Sequence, residues 1–330
     1  MSEQNTCSSS ASRIPVGISR CLMGEEVRYN GGHKLSRYCR DNLSHWFEFR
    51  DTCPEVEIGL PVPREAMRLV DTGAPNKTQR NIRVLEISNP EIDHTEALIA
   101  LAEKKKDILD RLRGFIFMQN SPSCGAFRVK VYHPNGNSLD AKGRGAFAQR
   151  VIQQYPNLPI EEAGRLMDAN LRENFVTRVF LYQEWRELKD NSPSKADIIN
   201  FHSGQKYLLM AKSQRHYKLA GKLLARAGKY SIKTLANRYE FILMDGMKRI
   251  GGRKGNSNAL QHMQGYLKKT LNREQKAELT SLIESYRNGE VPLIAPLILL
   301  RHYSESASQY YRDQSFLKPH PQSLGLLNDI

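Results

Sequence analysis

Three of the five cysteines in this 330-residue chain stand beside turn-forming residues at the edges of predicted strands. Cys21 follows a predicted strand in SRCLMGEEVRYNGG, and Cys124 follows the strand GFIFMQN in SPSCGAF. Cys53 lies just before a predicted strand in DTCPEVEIGLPVPRE. Ligands of open α/β sheets collect at the carboxyl ends of strands, so we expect these three thiols to meet there. Cys7, in a Ser-rich tail, and Cys39, in a predicted helix, are interpreted as ordinary residues.

Three soft thiolates are suited to binding a metal, but their spacing does not determine which metal binds. A structural zinc site normally closes with four ligands and often contains a C-x-x-C pair, which this sequence lacks. Iron–sulfur clusters are held by thiolates, and a cluster with three protein ligands leaves one iron free for substrate. The residues alone therefore predict an open thiolate metal site, with zinc and iron both open. Free thiols packed as small hydrophobic residues are the alternative.

An alternation of strands and helices positions these cysteines. The second of the two predicted helices is the clearer, because its apolar residues recur near the helical period. Strands that alternate with helices imply an α/β sheet with flanking helices and the metal site at the strand ends. The predicted strands are Ile14–Ser19, Val56–Leu60, Ile82–Ile87, Gly114–Met118 and Arg128–His133, and the predicted helices are Lys34–Phe49 and His94–Arg113.

The pattern becomes all-helical from about residue 196, with predicted helices at Tyr239–Met247, Leu260–Lys269 and Glu274–Tyr286. Ser194 and Asn272 are predicted as N-caps, Gly289 as a helix end, and Gly251–Asn256 as a basic, flexible loop. Four segments follow: a disordered tail (1–13), an α/β metal domain (14–160), a linking helical segment (161–195) and an all-α, basic RNA-binding domain (196–330).

The formal net charge of +14 is unevenly distributed. Residues 1–200 carry 28 Lys and Arg against 26 Asp and Glu, whereas residues 201–330 carry 21 against 9. A basic excess confined to one domain predicts a polyanionic partner, most commonly nucleic acid. Basic residues interleaved with Tyr fit phosphate contacts and base stacking, although a helical bundle with solvated charges is the alternative. The candidate RNA contacts are Arg253, Lys254, Lys268 and Lys269.

Neither a membrane span nor a secretory signal is predicted. No run of about 18 apolar residues occurs, and the polar N-terminus MSEQNTCSSSASR lacks an apolar core. We therefore expect a cytoplasmic protein, in which cysteines are thiols or metal ligands rather than disulfides. The oligomeric state is not predicted.

Four motifs in this sequence resemble the signature of the TudS-like thiouracil desulfidase family. They are SRCLMGEEVRYNGG, CPEVEIGLPVPRE, SPSCG and GRGAFA (143–148), and together they cover roughly residues 14–155. The remainder, from EEAGRLMDANLRENFVTRVF through HSGQKYLLMA to LKPHPQSL, is similar to the YbgA-like helical domain often fused to that module. The whole chain resembles fused desulfidases that act on 4-thiouridine in tRNA.

The resemblance implies a 4Fe–4S cluster on the three cysteines, with an open iron for the substrate sulfur and a non-redox replacement of sulfur by water. It also implies catalytic roles for Glu55 and Ser121, with Ser123 as a competing candidate. A carboxylate beside a metal centre can activate water. The alternatives are a solvated loop carboxylate and a turn residue before proline. Arg64 is a weaker candidate, for holding a phosphate or a carboxylate.

The function expected from the sequence is desulfuration of 4-thiouridine in tRNA to uridine. One alternative is the same chemistry on free thiouracil or thiouridine nucleotides, against which the basic domain argues. The other is a non-enzymatic zinc or iron–sulfur RNA-binding protein.

Overall fold

The computed structural model describes residues 13–73, 80–304 and 307–328. Cys7 and all of the predicted disordered tail except Arg13 lie outside these residues. The chain divides into two compact units, Met1–Gln154 and Tyr155–Ile330. The first is α/β and the second is helical apart from one short strand, which confirms the predicted fold class. The finer domain boundaries stay predictions.

The first sheet of the α/β unit is built around β1 (Ile14–Ser19). It pairs in parallel with β2 (Phe47–Thr52) on one side and β5 (Gly114–Phe117) on the other. Every residue of β5 is buried, and the rings of Phe115 and Phe117 stack with centroids 4.0 Å apart. Such continuous apolar runs are typical of parallel strands covered on both faces.

A second sheet lies in the same unit, in the order β4-β3-β6-β7. Its strands are β3 (Met67–Asp71), β4 (Ile82–Glu86), β6 (Val129–Tyr132) and β7 (Ser138–Gly143). The strand β3 is antiparallel to β4 and parallel to β6, and β6 is antiparallel to β7. Leu69, Val84 and Val131 pack with Leu98 in a small core behind this sheet.

The helices of the α/β unit are short. They are α1 (Pro54–Glu57), α2 (Thr95–Lys104), α3 (Lys106–Leu109) and α4 (Ala146–Gln154). Single helical turns occupy Arg20–Met23, Tyr38–Asn42 and Leu43–His45.

Two of the predicted elements are wrong, for local reasons. The predicted strand Val56–Leu60 is instead α1 and its closing turn. Pro54 suits the first position of a helix, acidic residues follow it there, and Gly59 ends the turn at φ 95°. The predicted helix Lys34–Phe49 holds two short helical turns and then the start of β2. Aromatic residues alternate with charged ones in FEFR, which is a strand period.

The second unit begins with β8 (Ile160–Glu162) and continues as helices. Trp185 lies fully buried at the centre of one helical cluster, in ring contact with Phe201 and Tyr239. Its Nε1 donates to Glu240 at 3.0 Å. The helices are α5 (Ala169–Asp190), α6 (Lys195–Lys212), α7 (Gln214–Leu224), α8 (Ile232–Met247), α9 (Arg253–Tyr266), α10 (Arg273–Asn288), α11 (Ile294–Tyr303) and α12 (Gln309–Arg312). Within the described ranges, no helix is long and apolar enough to cross a membrane.

The predicted caps of the helical unit are confirmed. Ser194 and Asn272 each form a capping box, and Gly289 ends α10 in the left-handed region. The predicted loop Gly251–Asn256 is wrong in its last four residues, because α9 begins at Arg253. Gly255 serves close packing there rather than flexibility, since an added Cβ would lie 2.2 Å from the carbonyl oxygen of Ala211.

The GRGAFA segment supports the loop that carries Cys124. Gly145 N donates to the carbonyl of Gly125 at 2.8 Å, and Ala148 N donates to that of Ser123 at 3.2 Å. An added Cβ on Gly145 would lie 2.4 Å from the backbone carbon of Ser123. The glycine therefore permits two backbone segments to touch directly.

We expect Gly145→Ala to destabilise the α/β unit, because a rigid backbone and not a flexible side chain opposes the new methyl group. Overpacking of this kind typically costs about 1–3 kcal/mol. Gly221→Ala is the matched control, since an added Cβ on Gly221 meets nothing within 4 Å and helix propensity favours Ala by about 1 kcal/mol. Urea unfolding of both variants checks this. Equal midpoints would contradict the close contact.

Candidate functional site

Three parallel strands deliver the three cysteines to one edge of the first sheet. Cys21 lies in the helical turn after β1, and Cys124 follows β5 after the loop 118–123. Cys53 directly follows β2, so it also stands at a strand's carboxyl end. The sequence placed it before a strand because β2 was not recognised. Parallel pairing brings the three carboxyl ends to the same side, as expected for a ligand site.

One pocket of about 490 Å³ is lined by all three cysteines together with Glu55 and Ser121. A volume of that size is in the usual range for small-molecule sites, about 300–1,000 Å³. Five residues proposed from sequence are thus brought together by the fold. All five residues line this shared space.

The three thiols are buried, and burial governs their protonation. Desolvation, with the nearby Cys53 thiol adding to it, raises the pKa of Cys21 to about 11. Burial likewise raises the pKa of Cys53 and of Cys124, and the negative charge of Glu55 acts in the same direction. The protein alone therefore favours protonated thiols at neutral pH. Thiolate ligation requires a cation that supplies the missing positive charge.

The pocket contains three thiols, the ligand type of iron–sulfur groups, but does not hold them as a ready-made metal site. Within the described residues, no three His, Cys, Asp or Glu side chains form a group that could hold a metal ion. Three cysteines nevertheless line one pocket, and thiolates are the ligands that hold iron–sulfur clusters. Cys39 is buried but does not line the pocket, so it lies apart from this donor set.

A hydrogen-bonded chain joins Glu55 to the two serines. Ser123 Oγ donates to Glu55 Oε1 at 2.5 Å and lies 2.9 Å from Ser121 Oγ. Ser121 Oγ accepts from the backbone N of Cys124 at 3.1 Å. Ser121 lines the pocket, whereas Ser123 is fully buried behind it. The two candidates from the sequence therefore occupy different places: Ser121 reaches the pocket, and Ser123 contacts the carboxylate.

Arg64 holds the other oxygen of Glu55. Its Nε and Nη2 lie 2.8 Å and 2.5 Å from Oε2. The same Nη2 donates to the carbonyl of Val27 at 2.9 Å, and Arg64 N donates to the carbonyl of Tyr29 at 2.8 Å. The carboxylate suggested as an Arg64 partner from sequence is thus Glu55 itself. Both side chains are nearly buried, with exposures of 5% and 11%.

The loop between the helical turns Arg20–Met23 and Tyr38–Asn42 forms another wall of the pocket. Gly24 and Gly31 adopt positive φ (101° and 75°), which lets this loop double back. The guanidinium of Arg28 lies 5.6 Å from the centre of the Tyr29 ring, and both side chains line the pocket with Lys34. A cationic and aromatic wall suits a flat, polar heterocycle.

The four candidate RNA contacts lie in the second unit, and all four are exposed. Arg253 and Lys254 begin α9, whereas Lys268 and Lys269 lie in the turn after its end. Since a helix rises about 1.5 Å per residue, the two pairs are roughly 20 Å apart. The structure therefore separates them into two basic patches.

Comparison with known proteins divides the chain into two matched regions. Residues 16–163 match the family model described as 2-thiouracil desulfurase, and residues 206–321 match a family of unknown function, DUF1722. The chain is 28% identical over 132 residues to the uncharacterized protein YbgA of Escherichia coli (strain K12), covering 40% of this chain and 78% of YbgA. It is 28% identical over 111 residues to the uncharacterized protein YbbK of Bacillus subtilis (strain 168), covering 33% and 72%.

Among solved structures, one described as the [4Fe-4S]-dependent thiouracil desulfidase TudS is similar at 23% identity with a TM-score of 0.36. The match covers 47% of this chain and 94% of that one. The two family models confirm the fused architecture predicted from the motifs: a 2-thiouracil desulfurase region followed by a DUF1722, YbgA-like region. The first of these matches supports a desulfidase function.

The contacts of Glu55 generate a stability prediction. Arg64→Ala leaves a buried carboxylate without its ion-pair partner, and such losses typically cost about 3–5 kcal/mol. Arg50→Ala is the matched control, because its pair with Glu48 is well exposed and is worth about 1 kcal/mol or less. Denaturant unfolding of the α/β unit measures both.

A double-mutant cycle with Glu55→Ala isolates the pair itself. We expect a coupling free energy of about 1 kcal/mol or more, since residues in one buried network do not act independently. Strictly additive losses would show that Arg64 stabilises the loop without acting through Glu55.

Proposed function

We propose that this protein is a desulfidase that converts 4-thiouridine in tRNA to uridine. The observation that carries the proposal is the single pocket in which three buried cysteines face Glu55 and Ser121. That pocket lies in the region that matches the 2-thiouracil desulfurase model. The desulfidase chemistry rests on this region, and the tRNA substrate rests on the charge of the other.

In this proposal Cys21, Cys53 and Cys124 hold a 4Fe–4S cluster. When bound there, the cluster supplies an open iron that acts as a Lewis acid toward a thiocarbonyl sulfur. In the net reaction, a carbon–oxygen bond to water replaces the carbon–sulfur bond. Both water protons leave with the sulfur as hydrogen sulfide, so no electrons are exchanged.

Glu55 is the proposed acid–base group. It lines the pocket, and Arg64 and Ser123 fix its two oxygens. A carboxylate held in this way can take a proton from water as the oxygen attacks and return it to the leaving sulfur. Ser121 is the proposed second catalytic group, because its hydroxyl lies on the pocket wall and connects through Ser123 to the carboxylate.

The charge of the helical unit supports an RNA substrate. Residues 155–330 carry 27 Lys and Arg against 17 Asp and Glu, a net +10, whereas residues 1–154 carry 22 against 18, a net +4. A concentrated basic excess attracts polyanions, and phosphate contacts dominate nucleic-acid affinity. We further propose a cytoplasmic location, where tRNA and reduced thiols coexist.

A second candidate is desulfuration of free thiouracil or thiouridine nucleotides. The pocket favours it, because about 490 Å³ within the α/β unit is room enough for a nucleotide without further RNA. This candidate does not explain the basic excess of the helical unit. A non-enzymatic zinc or iron–sulfur RNA-binding protein would leave Glu55 without a role instead.

Ligand and catalytic roles are separable by substitution. We expect Cys21→Ala, Cys53→Ala and Cys124→Ala each to lose bound iron, sulfide and visible absorption in anaerobic preparations. Glu55→Gln keeps a similar shape, so it should retain the cluster and lose about 10²–10⁴-fold in desulfuration rate. Cys39→Ala is the control, since Cys39 is outside the pocket.

Three outcomes contradict these assignments. Loss of the cluster in Cys39→Ala would show that the ligands were assigned wrongly. Near-normal turnover by cluster-loaded Glu55→Gln would remove Glu55 from the mechanism. Stoichiometric zinc without sulfide in the native protein would replace the iron–sulfur proposal altogether.

The proposed tRNA substrate makes two predictions, one about substrate preference and one about the two basic patches. Thiolated tRNA should be used more efficiently than free 4-thiouridine. The double variant Lys268→Glu with Lys269→Glu should weaken tRNA binding. The slope of the logarithm of the binding constant against the logarithm of the salt concentration should become less steep by about 0.7–0.9 per lost phosphate contact. The pair Arg253→Glu with Lys254→Glu tests the other patch in the same way.

Turnover of free 4-thiouridine is the internal control, and it should be unchanged in both double variants because the pocket lies in the other unit. If the free nucleoside is used as efficiently as tRNA, the small-molecule candidate replaces the RNA proposal. Unchanged tRNA affinity in both double variants would remove these two patches from the interface.

A further inference from the structure

An exposed tyrosine ends α9 in the helical unit. Tyr266 is the last residue of this helix, and 51% of it is accessible. Its ring centroid lies 6.2 Å from that of Tyr207, 6.0 Å from Tyr310 and 6.3 Å from Tyr311. Tyr207 and Tyr311 are buried, so the Tyr266 ring stands on packed aromatic residues with one part open to solvent.

A lysine is enclosed by the same rings. Lys206 Nζ lies 4.8 Å from the centroid of Tyr207, 5.0 Å from that of Tyr310 and 5.6 Å from that of Tyr266. It also donates to the Tyr266 hydroxyl at 3.4 Å. Cation–π attraction acts at such distances, so the ammonium and the rings fix one another. The exposed ring is therefore preorganised rather than free to rotate away.

Further positive charge adjoins this group directly along the chain. Leu267 is buried after Tyr266, and the exposed Lys268 and Lys269 follow in the same helical turn. His262 lies one turn earlier on the same face of α9 and is also exposed. A rigid aromatic face beside ammonium groups is complementary to a flat base linked to phosphates.

We propose that the surface formed by Lys206, Tyr266 and Tyr310 with Lys268 and Lys269, here called the tyrosine platform, binds an unpaired base of RNA. The base stacks on Tyr266, and the lysines neutralise the flanking phosphates. A paired base keeps its faces inside the stack, so the platform selects single-stranded or looped RNA. This inference rests on the proposed function, because a tRNA substrate supplies such bases.

The test compares Tyr266→Ala with Tyr266→Phe in the full-length protein. The probes are a single-stranded RNA oligonucleotide and tRNA that lacks thiouridine, so binding is measured independently of desulfuration. Tyr266→Ala should weaken both affinities about 5- to 100-fold, the loss typical of one stacked base, without changing the salt slope. Tyr266→Phe should bind like the native protein, because the aromatic face remains.

Tyr230→Ala is the matched control, since Tyr230 also packs against a cation (Arg238, 4.8 Å from its ring centre) but lies on a different segment. It should leave the affinities unchanged. Native affinity of Tyr266→Ala overturns the platform, and so does equal weakening by Ala and Phe, which would assign the effect to the hydroxyl contacts. Binding of neither RNA by the native protein would also overturn the platform as an RNA surface.

These experiments distinguish failure of the platform from failure of the proposed function. Native desulfuration of thiolated tRNA with unchanged binding by Tyr266→Ala overturns only the platform. RNA binding that depends on Tyr266 without any tRNA desulfuration overturns only the enzyme's proposed substrate.

Discussion

The parallel pairing of β1 with β2 and β5 is the constraint on which the candidate site depends. The register places Ser19 beside Thr52 at the ends of β1 and β2, and Ile18 beside Ile116 in β5. Because the pairing is parallel, the carboxyl ends of all three strands lie at the same end of the sheet. Cysteines that are far apart in sequence are thereby delivered to one pocket without a local C-x-x-C motif. The buried apolar strands β1 and β5 make the strand ends a rigid base from which the segments that carry the thiols extend.

Burial of Glu55 imposes a second constraint, which extends from the sheet into the loops. A carboxylate without partners is costly in an interior of low polarity, and Arg64 and Ser123 remove that cost on its two oxygens. Arg64 also bonds the carbonyl groups of Val27 and Tyr29, so the charge pair fixes the loop that follows Cys21. Ser123 precedes Cys124 and contacts Ser121. The buried carboxylate of Glu55 therefore connects the segment that follows β1 with the segment that follows β5.

The sequence predicted the α/β class and the helical caps, because these depend on local patterns, and it predicted the convergence of the cysteines from the rule that ligands collect at strand ends. It missed β2, β3, β7 and β8. The strand β2 is short, alternates aromatic and charged residues, and follows a segment of helix-like composition. It also mistook α1 for a strand, since apolar VEIGL resembles one and the Pro54 signal is a single residue. The Arg64–Glu55 pair could not be foreseen, because Glu55 lies in α1 and Arg64 in the loop after it, and their approach is set by the folded chain. Only the structure distinguishes Ser121 at the pocket from Ser123 behind it.

The helical unit differs from the α/β unit, because its four candidate contacts are exposed charges at the two ends of one helix, and of these Arg253 also lines a pocket. Helix α9 is a rigid spacer of roughly 20 Å between the patch at Arg253 and the patch at Lys268. The exposed ring of Tyr266 lies beside only one of them. The two ends of α9 are therefore not equivalent: one offers charge alone, which suits the backbone of a duplex, and the other offers charge with an aromatic face, which suits a loop where bases are unstacked.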